Sequence, residues 1–464
     1  MCMTHQLDEL AAQVWALAGG APEVPARLTV SGPRTFLPSA FDVTGLATAS
    51  VAAAALAAAE YHAARNESPV AAVRVDSRAA CAAFAAEGLF TPVGWSLPDI
   101  WDPIAGNYQA RDGWIRLHTN YASHRAAVTG LLKADDRDSV QAAVAQWKAG
   151  DLEAAVVAAG GCAAAMHDRD GWLASAPGAA SATTTALAVA ERSLAAGSGT
   201  AAAPAERRAG RPYAGVRVLD LTRVIAGPVA TRFLAAYGAD VLRLDPPGFA
   251  EVPAILPETT AGKRTAAVSL TTPAGRATFE RLVAGADVLV TGLRADALGR
   301  LGYDDAALTT LNPALIIASH NAYGWDGPWR DRRGFDSLVQ MSCGIAAAGG
   351  GDGPAPLPVQ ALDHATGYLL AAAVGRALTV RLTRGVASRV LASLTGTANL
   401  LWSLPRPADL GGVPPMPRRE DFRLADTQTT WGPARRVPVP GEITGTAPEL
   451  RPEAGPLGRH EPAW

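Results

Sequence analysis

Two aspartates in this chain stand immediately before alanine-rich helical stretches: Asp363 in Leu362-Asp363-His364-Ala365-Thr366-Gly367 and Asp42 in Phe41-Asp42-Val43-Thr44-Gly45. An aspartate at a helix start faces exposed backbone N–H groups, which hold an anion and keep a carboxylate ionised. Its ordinary duty there is a plain N-cap, and two capped helices make a common coincidence. His364 invites an assignment as a base, but side chains adjacent at a helix start point in different directions, so a structural role is expected. Gly349-Gly350-Gly351 is either a mobile lid that excludes water or a simple turn. The cysteines Cys2, Cys81, Cys162 and Cys343 form no CxxC pair, so neither a zinc site nor a disulfide framework is indicated.

The elements that must position these groups are clearest in the second part of the chain. Val216–Leu221 is a short apolar run of the kind found in a buried parallel strand. Ala226-Gly227-Pro228 then breaks the chain and opens a helix over Val229–Tyr237, ended by Gly238. Strands follow at Asp240–Leu244, Thr265–Leu270, Asp287–Thr291 and Ala314–Ser319, with helices at Thr272–Ala284 and Asp304–Asn312. The alternation predicts an α/β fold with a Rossmann-like, doubly wound parallel sheet whose loops bind ligand at the strand C-termini. The first part reads as a smaller α+β domain, with helices at Thr48–Arg65, Asp76–Glu87, Ser139–Ala149 and Leu152–Ala158, and a strand within Asp112–Thr119. Between them Ala195–Pro212 has linker composition. The expected division is therefore 1–194, a linker 195–212, and 213–464.

Composition bounds the function. Of 464 residues, 49% are hydrophobic and 18% charged, enough to build large cores, and a net charge of −2 offers no basic surface for a nucleic-acid backbone. The N-terminus lacks the pattern of a secretory signal, and the apolar stretch Thr48–Ala59 is too short to span a bilayer. These features lead to the expectation of a cytoplasmic protein with no membrane or nucleic-acid partner.

Five stretches, in order, resemble the family III CoA-transferases, the group that includes formyl-CoA and carnitine CoA-transferases and acyl-CoA racemases. They are GVRVLDLTRVIAGPVATRFLAAYGADVLRLDPPG (Gly215–Gly248), GKRTAAVSLTTPAGR (Gly262–Arg276), ADVLVTGLRADALGRLGYD (Ala286–Asp304), Leu311–Pro354 and PVQALDHATGYLLAAA (Pro358–Ala373). The closing segment from Val437 is also family-like. Trp101–Tyr121 and Asp151–Trp172 resemble the family's small middle domain, which here precedes the nucleotide-binding half. The chain therefore looks permuted, or like a truncated copy fused to a copy missing its middle, with Asp42 as the first copy's version of Asp363.

The resemblance implies transfer of CoA between an acyl-CoA thioester and a small carboxylic acid. Asp363 would be the catalytic nucleophile, passing through an aspartyl anhydride and an aspartyl-CoA thioester. It implies no tightly bound cofactor and no metal, with the CoA thioester as substrate, and a homodimer. It carries CoA contacts onto the backbone at Val224 and Ile225 and onto Arg300, Lys263 and Arg264. Ordinary packing and solvated surface positions are the plainer roles for these residues. Departures from the family pattern are Asp245-Pro246-Pro247 after the second strand, Gly292-Leu293 ahead of Arg300, and Phe335 in Gly334-Phe335-Asp336, where racemases use His. Two-sided proton shuttling needs two acid/base groups, so racemase activity is disfavoured. Other readings are a non-catalytic CoA-binding or scaffold protein and an NAD-dependent dehydrogenase; the turn at Ala226-Gly227-Pro228 lacks the GxGxxG that the last requires.

Overall fold

The computed structural model describes residues 2–194, 210–407 and 414–464. Most of the expected linker, 195–209, lies outside the described residues.

The alternating elements from Arg217 onward build a seven-stranded sheet. Its spatial order is Lys263–Ala267, Asp240–Asp245, Arg217–Leu221, Val288–Thr291, Ile316–Asn321, Val386–Ser393 and Leu187–Ser193. The first six run parallel, and counted along the chain from Arg217 their order is 3-2-1-4-5-6. This is the doubly wound order, in which the winding reverses between the first and fourth strands and opens a crevice at their C-terminal ends. Both faces are covered by helices, which is why these strands are buried almost continuously rather than alternately.

The seventh strand corrects the expected division. Leu187–Ser193 belongs to the first part of the chain, yet it pairs antiparallel along Val386–Ala392. The tail returns the exchange: Glu442–Ile443 pairs with Val73–Asp76, and Gly432–Arg436 with Thr91–Pro92. The two parts therefore share sheets. Only residues from about 104 to 165 make a separate small layer, a sheet of Gly106–Ala110, Gly113–Leu117 and Ala163–Ala165 under three helices with a core of its own.

Two helices of equal length form the centre of the molecule. Val43–Asn66 and Ala361–Arg384 each have 24 residues and lie side by side, almost wholly buried. They meet at corresponding positions: a Cβ on Gly375 would come within 2.9 Å of the Ala57 Cβ, and both residues are fifteenth in their helices. Each helix connects two paired parallel strands, Leu28–Ser31 with Val73–Asp76 in one case and Ile316–Asn321 with Val386–Ser393 in the other. A further helix follows at once in both, at Ser77–Phe84 and Leu394–Ser403. The two alanine-rich stretches after Asp42 and Asp363 thus belong to a repeated strand–helix–strand–helix unit. Val43–Asn66 is longer than the stretch read from sequence and, by length and composition, could cross a membrane, but its apolar window is entirely enclosed by protein.

Candidate active site

Asp363 sits inside its helix, not at the cap. The helix begins at Ala361 with Gln360 as N-cap, which makes Asp363 the third helical residue. Asp42 does cap its helix: its carboxylate accepts from the Gly45 N–H at 2.8 Å and pairs with Arg34 at 2.6 Å, with its side chain fully enclosed. Matched by helix start, Asp42 corresponds to Gln360, so the expected equivalence of the two aspartates does not hold.

The first-turn N–H groups are also used differently from expectation. Asp336, fully buried behind the helix, accepts the Asp363 N–H at 2.9 Å and also the Leu362 N–H. The Gln340 amide donates to its other oxygen. Burial pushes the Asp336 carboxyl up to about 6 despite those donors. The Asp363 side chain, 7% exposed, has no hydrogen-bond partner among the described residues. Burial first, then the negative charges of Asp336 and Glu87, hold it well above the ordinary carboxylate range. The helix start therefore does not keep Asp363 ionised, because a second carboxylate has taken its donors.

His364 points away from Asp363, as expected, stacking on Phe84 and meeting Glu87 at 3.0 Å. Burial alone would raise the Glu87 carboxyl, but the charge and hydrogen bond of His364 outweigh it and hold it low.

Gly367, one turn beyond Asp363, sets the depth of the site. A Cβ there would lie 2.5 Å from the Ala226 carbonyl oxygen and 2.8 Å from Val229. The bare glycine lets the Asp363 helix press against the first turn of the helix Ala226–Ala236 that follows the first strand. Gly367→Ala is expected to destabilise the fold by about 1–3 kcal/mol through overpacking, and to reduce turnover more than a surface Gly→Ala change. Chemical denaturation and a rate assay on the same preparation check this.

Two cavities meet at Asp363. One, of about 430 Å³, opens at the C-terminal ends of the first and fourth strands and is lined by Val224–Ala226, Gly292–Arg294 and His320. Arg223, Arg294, Arg332 and Arg333 all face it. The other, of about 350 Å³, is walled by Phe84, Leu89, Ile100, Val252, Ile255, Val359 and Phe422. Tyr121, Val224, Ile225, Phe335 and Asp363 line both.

Val224 is held in strain at this junction. Its φ of +62° is rare for a β-branched residue. Its N–H donates to Glu251 at 3.1 Å, and Glu251 is fixed by Arg243 at 3.1 Å and by the Tyr121 hydroxyl at 2.6 Å. Arg243 also binds Asp245 at 2.8 Å, so the departure at Asp245 supplies a buried ion-pair partner beneath the loop. Phe335, the departure from the racemase pattern, stacks on His118 at 3.7 Å. Burial pushes His118 down to about 3, and His124 and His320 down to about 4, so all three rings are neutral near pH 7.

Val224 and Ile225 line both cavities and so lie beside Asp363. The basic residues do not. Lys263 is fully buried against Asp220 at 3.0 Å, and Arg264 pairs with Asp240 and reaches the Ala463 carbonyl. Arg300 is exposed and paired with Asp296 at 2.7 Å, outside both cavities that meet at Asp363. Gly349–Gly351 lines neither of these two cavities; positive φ at Gly350 and Gly351 marks a turn. Sequence reasoning missed the four arginines of the first cavity. Arg223 could have been found, since it precedes Val224 directly. Arg332 and Arg333 adjoin Gly334-Phe335-Asp336, but nothing in their spacing aims them at this crevice.

Residues 213–423 match the model of CoA-transferase family III. The succinate–glutarate CoA-transferase of Agrobacterium fabrum is 36% identical over 187 residues, covering 36% of this chain and 47% of that protein. A formyl-CoA:oxalate CoA-transferase of Rhodopseudomonas palustris is 33% identical over 202 residues, covering 40% and 47%. The crystal structure of a hypothetical protein from Mycobacterium tuberculosis is 34% identical, with a TM-score of 0.40, covering 42% of this chain and 56% of that one. The chain spans about half the length of the curated relatives it matches.

Proposed function

We propose that the protein transfers CoA from an acyl-CoA thioester to a carboxylic acid, with Asp363 as nucleophile. The observation that carries this reading is an unbonded carboxyl placed where a cationic cavity meets an apolar one. An ionised Asp363 oxygen attacks the thioester carbonyl carbon, the C–S bond breaks, and CoA leaves as thiolate from a mixed anhydride. The thiolate attacks the Asp363 acyl carbon and releases the donor acid, leaving an aspartyl-CoA thioester. The acceptor carboxylate attacks that thioester, giving a second anhydride and freeing thiolate again. The thiolate then takes the acceptor acyl group and restores Asp363. No water or redox partner is consumed. Arg223, Arg294 and Arg333 suit the phosphates and pantetheine arm of CoA, while Arg332 is committed to Glu153 at 2.7 Å, and both walls of the site come from one chain.

The test is a panel of acyl-CoA donors and acids, followed by trapping with hydroxylamine or borohydride and mass spectrometry. The expected result is a hydroxamate, or the reduced alcohol, at Asp363. CoA bound tightly with no label there overturns the reading in favour of a non-catalytic CoA-binding protein.

A further inference from the structure

We infer that the acyl group handled by this site is that of an apolar monocarboxylic acid, seated in the cavity of about 350 Å³ beside Asp363. The inference rests on the CoA-transfer reading and deepens it. The two cavities divide sharply by charge. Four arginines line the larger cavity, whereas among the described residues no Lys or Arg lines the smaller one. A CoA thioester spanning the junction places its phosphates with the arginines, its carbonyl at Asp363 and its acyl chain in the smaller cavity. The walls there are Phe84, Ile100, Ile255, Val359 and Phe422.

Among the described residues the polar groups of that cavity supply no cation for a second anion. Glu87 is an acid already committed to His364 at 3.0 Å. His118 is stacked on Phe335 and held neutral by burial. A dicarboxylate would bring its distal carboxylate out of water beside Glu87, with no cation to meet it. The mouth agrees with the walls. Among the described residues five large apolar side chains are exposed, and two of them, Trp101 at 37% and Met416 at 60%, line this cavity. An apolar rim leading into an apolar chamber selects for an apolar guest.

The experiment measures binding of free acids to the full chain at pH 7.5 by calorimetry, so that no turnover is needed. Hexanoate, octanoate and decanoate are compared with adipate, suberate and sebacate. Affinity for the monocarboxylates is expected to rise about fourfold per methylene until the cavity is filled. Each dicarboxylate is expected to bind at least about tenfold more weakly than the monocarboxylate of equal length. Equal or tighter dicarboxylate binding, or no dependence on chain length, overturns the inference. Ile100→Lys, at a half-buried wall position, is expected to narrow or invert the preference; an unchanged preference also overturns it. The trapping experiment separates this inference from the reading beneath it. Adducts at Asp363 formed as readily from succinyl-CoA as from octanoyl-CoA overturn the acid class while CoA transfer stands. An intact binding series with no adduct from any thioester sinks CoA transfer and retains the apolar-acid site.

Discussion

Asp363→Ala and Asp363→Asn are each expected to lower the CoA-transfer rate by roughly 10³–10⁴-fold, about 4–5.5 kcal/mol of barrier, while acyl-CoA binding changes only a few-fold. The loss is large because the nearby carboxylates are already committed. Asp42 is enclosed with Arg34, Glu87 is tied to His364, and Asp336 is turned to the backbone of Asp363 itself. The same variants are expected to gain about 1–3 kcal/mol of stability at pH 7.5, since they remove a buried carboxyl that has no hydrogen-bond partner among the described residues. A rate assay, a binding isotherm and a denaturation curve on one preparation test all three statements. Undiminished turnover would remove Asp363 from the chemistry, and lost binding with lost turnover would point to a misfolded crevice instead.

The parts of the site that were legible in the sequence are those fixed by local pattern. The buried strand Arg217–Leu221, its loop at Val224–Ile225 and the Asp363 helix each announce themselves within a short window, and the doubly wound order follows from their alternation. What could not be read is long-range. Leu187–Ser193 is nearly all exposed apart from its first residue, so it carries little apolar signal, yet it completes the sheet. Asp336 reads as one more acid at a helix start, and only its position behind Asp363 lets its charge add to burial in raising that carboxyl. Lys263 and Arg264 matched a motif by type, but one pairs inward with Asp220 and the other with Asp240 while donating to the Ala463 carbonyl of the tail. A basic residue in sequence is a charge without a direction, and this crevice draws its cations from three loops that only the fold brings together.

The second large effect concerns pH. Asp363 attacks only as the carboxylate, and in the resting site burial together with the charges of Asp336 and Glu87 holds it protonated well above the ordinary range near 3.9. The two buried acids titrate as a pair, so the acid limb of kcat/KM belongs to the pair rather than to either residue. That limb is expected above pH 6, with a fall of about tenfold per unit below it. His118, His124 and His320, pushed down to between about 3 and 4, keep their charge state across this range and cannot supply the limb. Asp336→Asn removes the nearer negative charge and should move the limb to lower pH; a limb that stays in place would mean that Asp336 does not govern Asp363. Stability gives an independent check of sign. Both folded values lie above the unfolded ones, so the stability contributed by the protonated pair is fully present below about pH 4. It is lost as pH rises through about 6 and beyond. Glu87, held low, works in the opposite sense: its contribution is present above its unfolded value and lost on acidification. The difference between wild type and Asp336→Asn cancels Glu87. Whatever the variant's absolute stability, its loss of stability from pH 4 to 8 should be smaller than that of the wild type, because one of the two carboxyls that resist ionisation is gone.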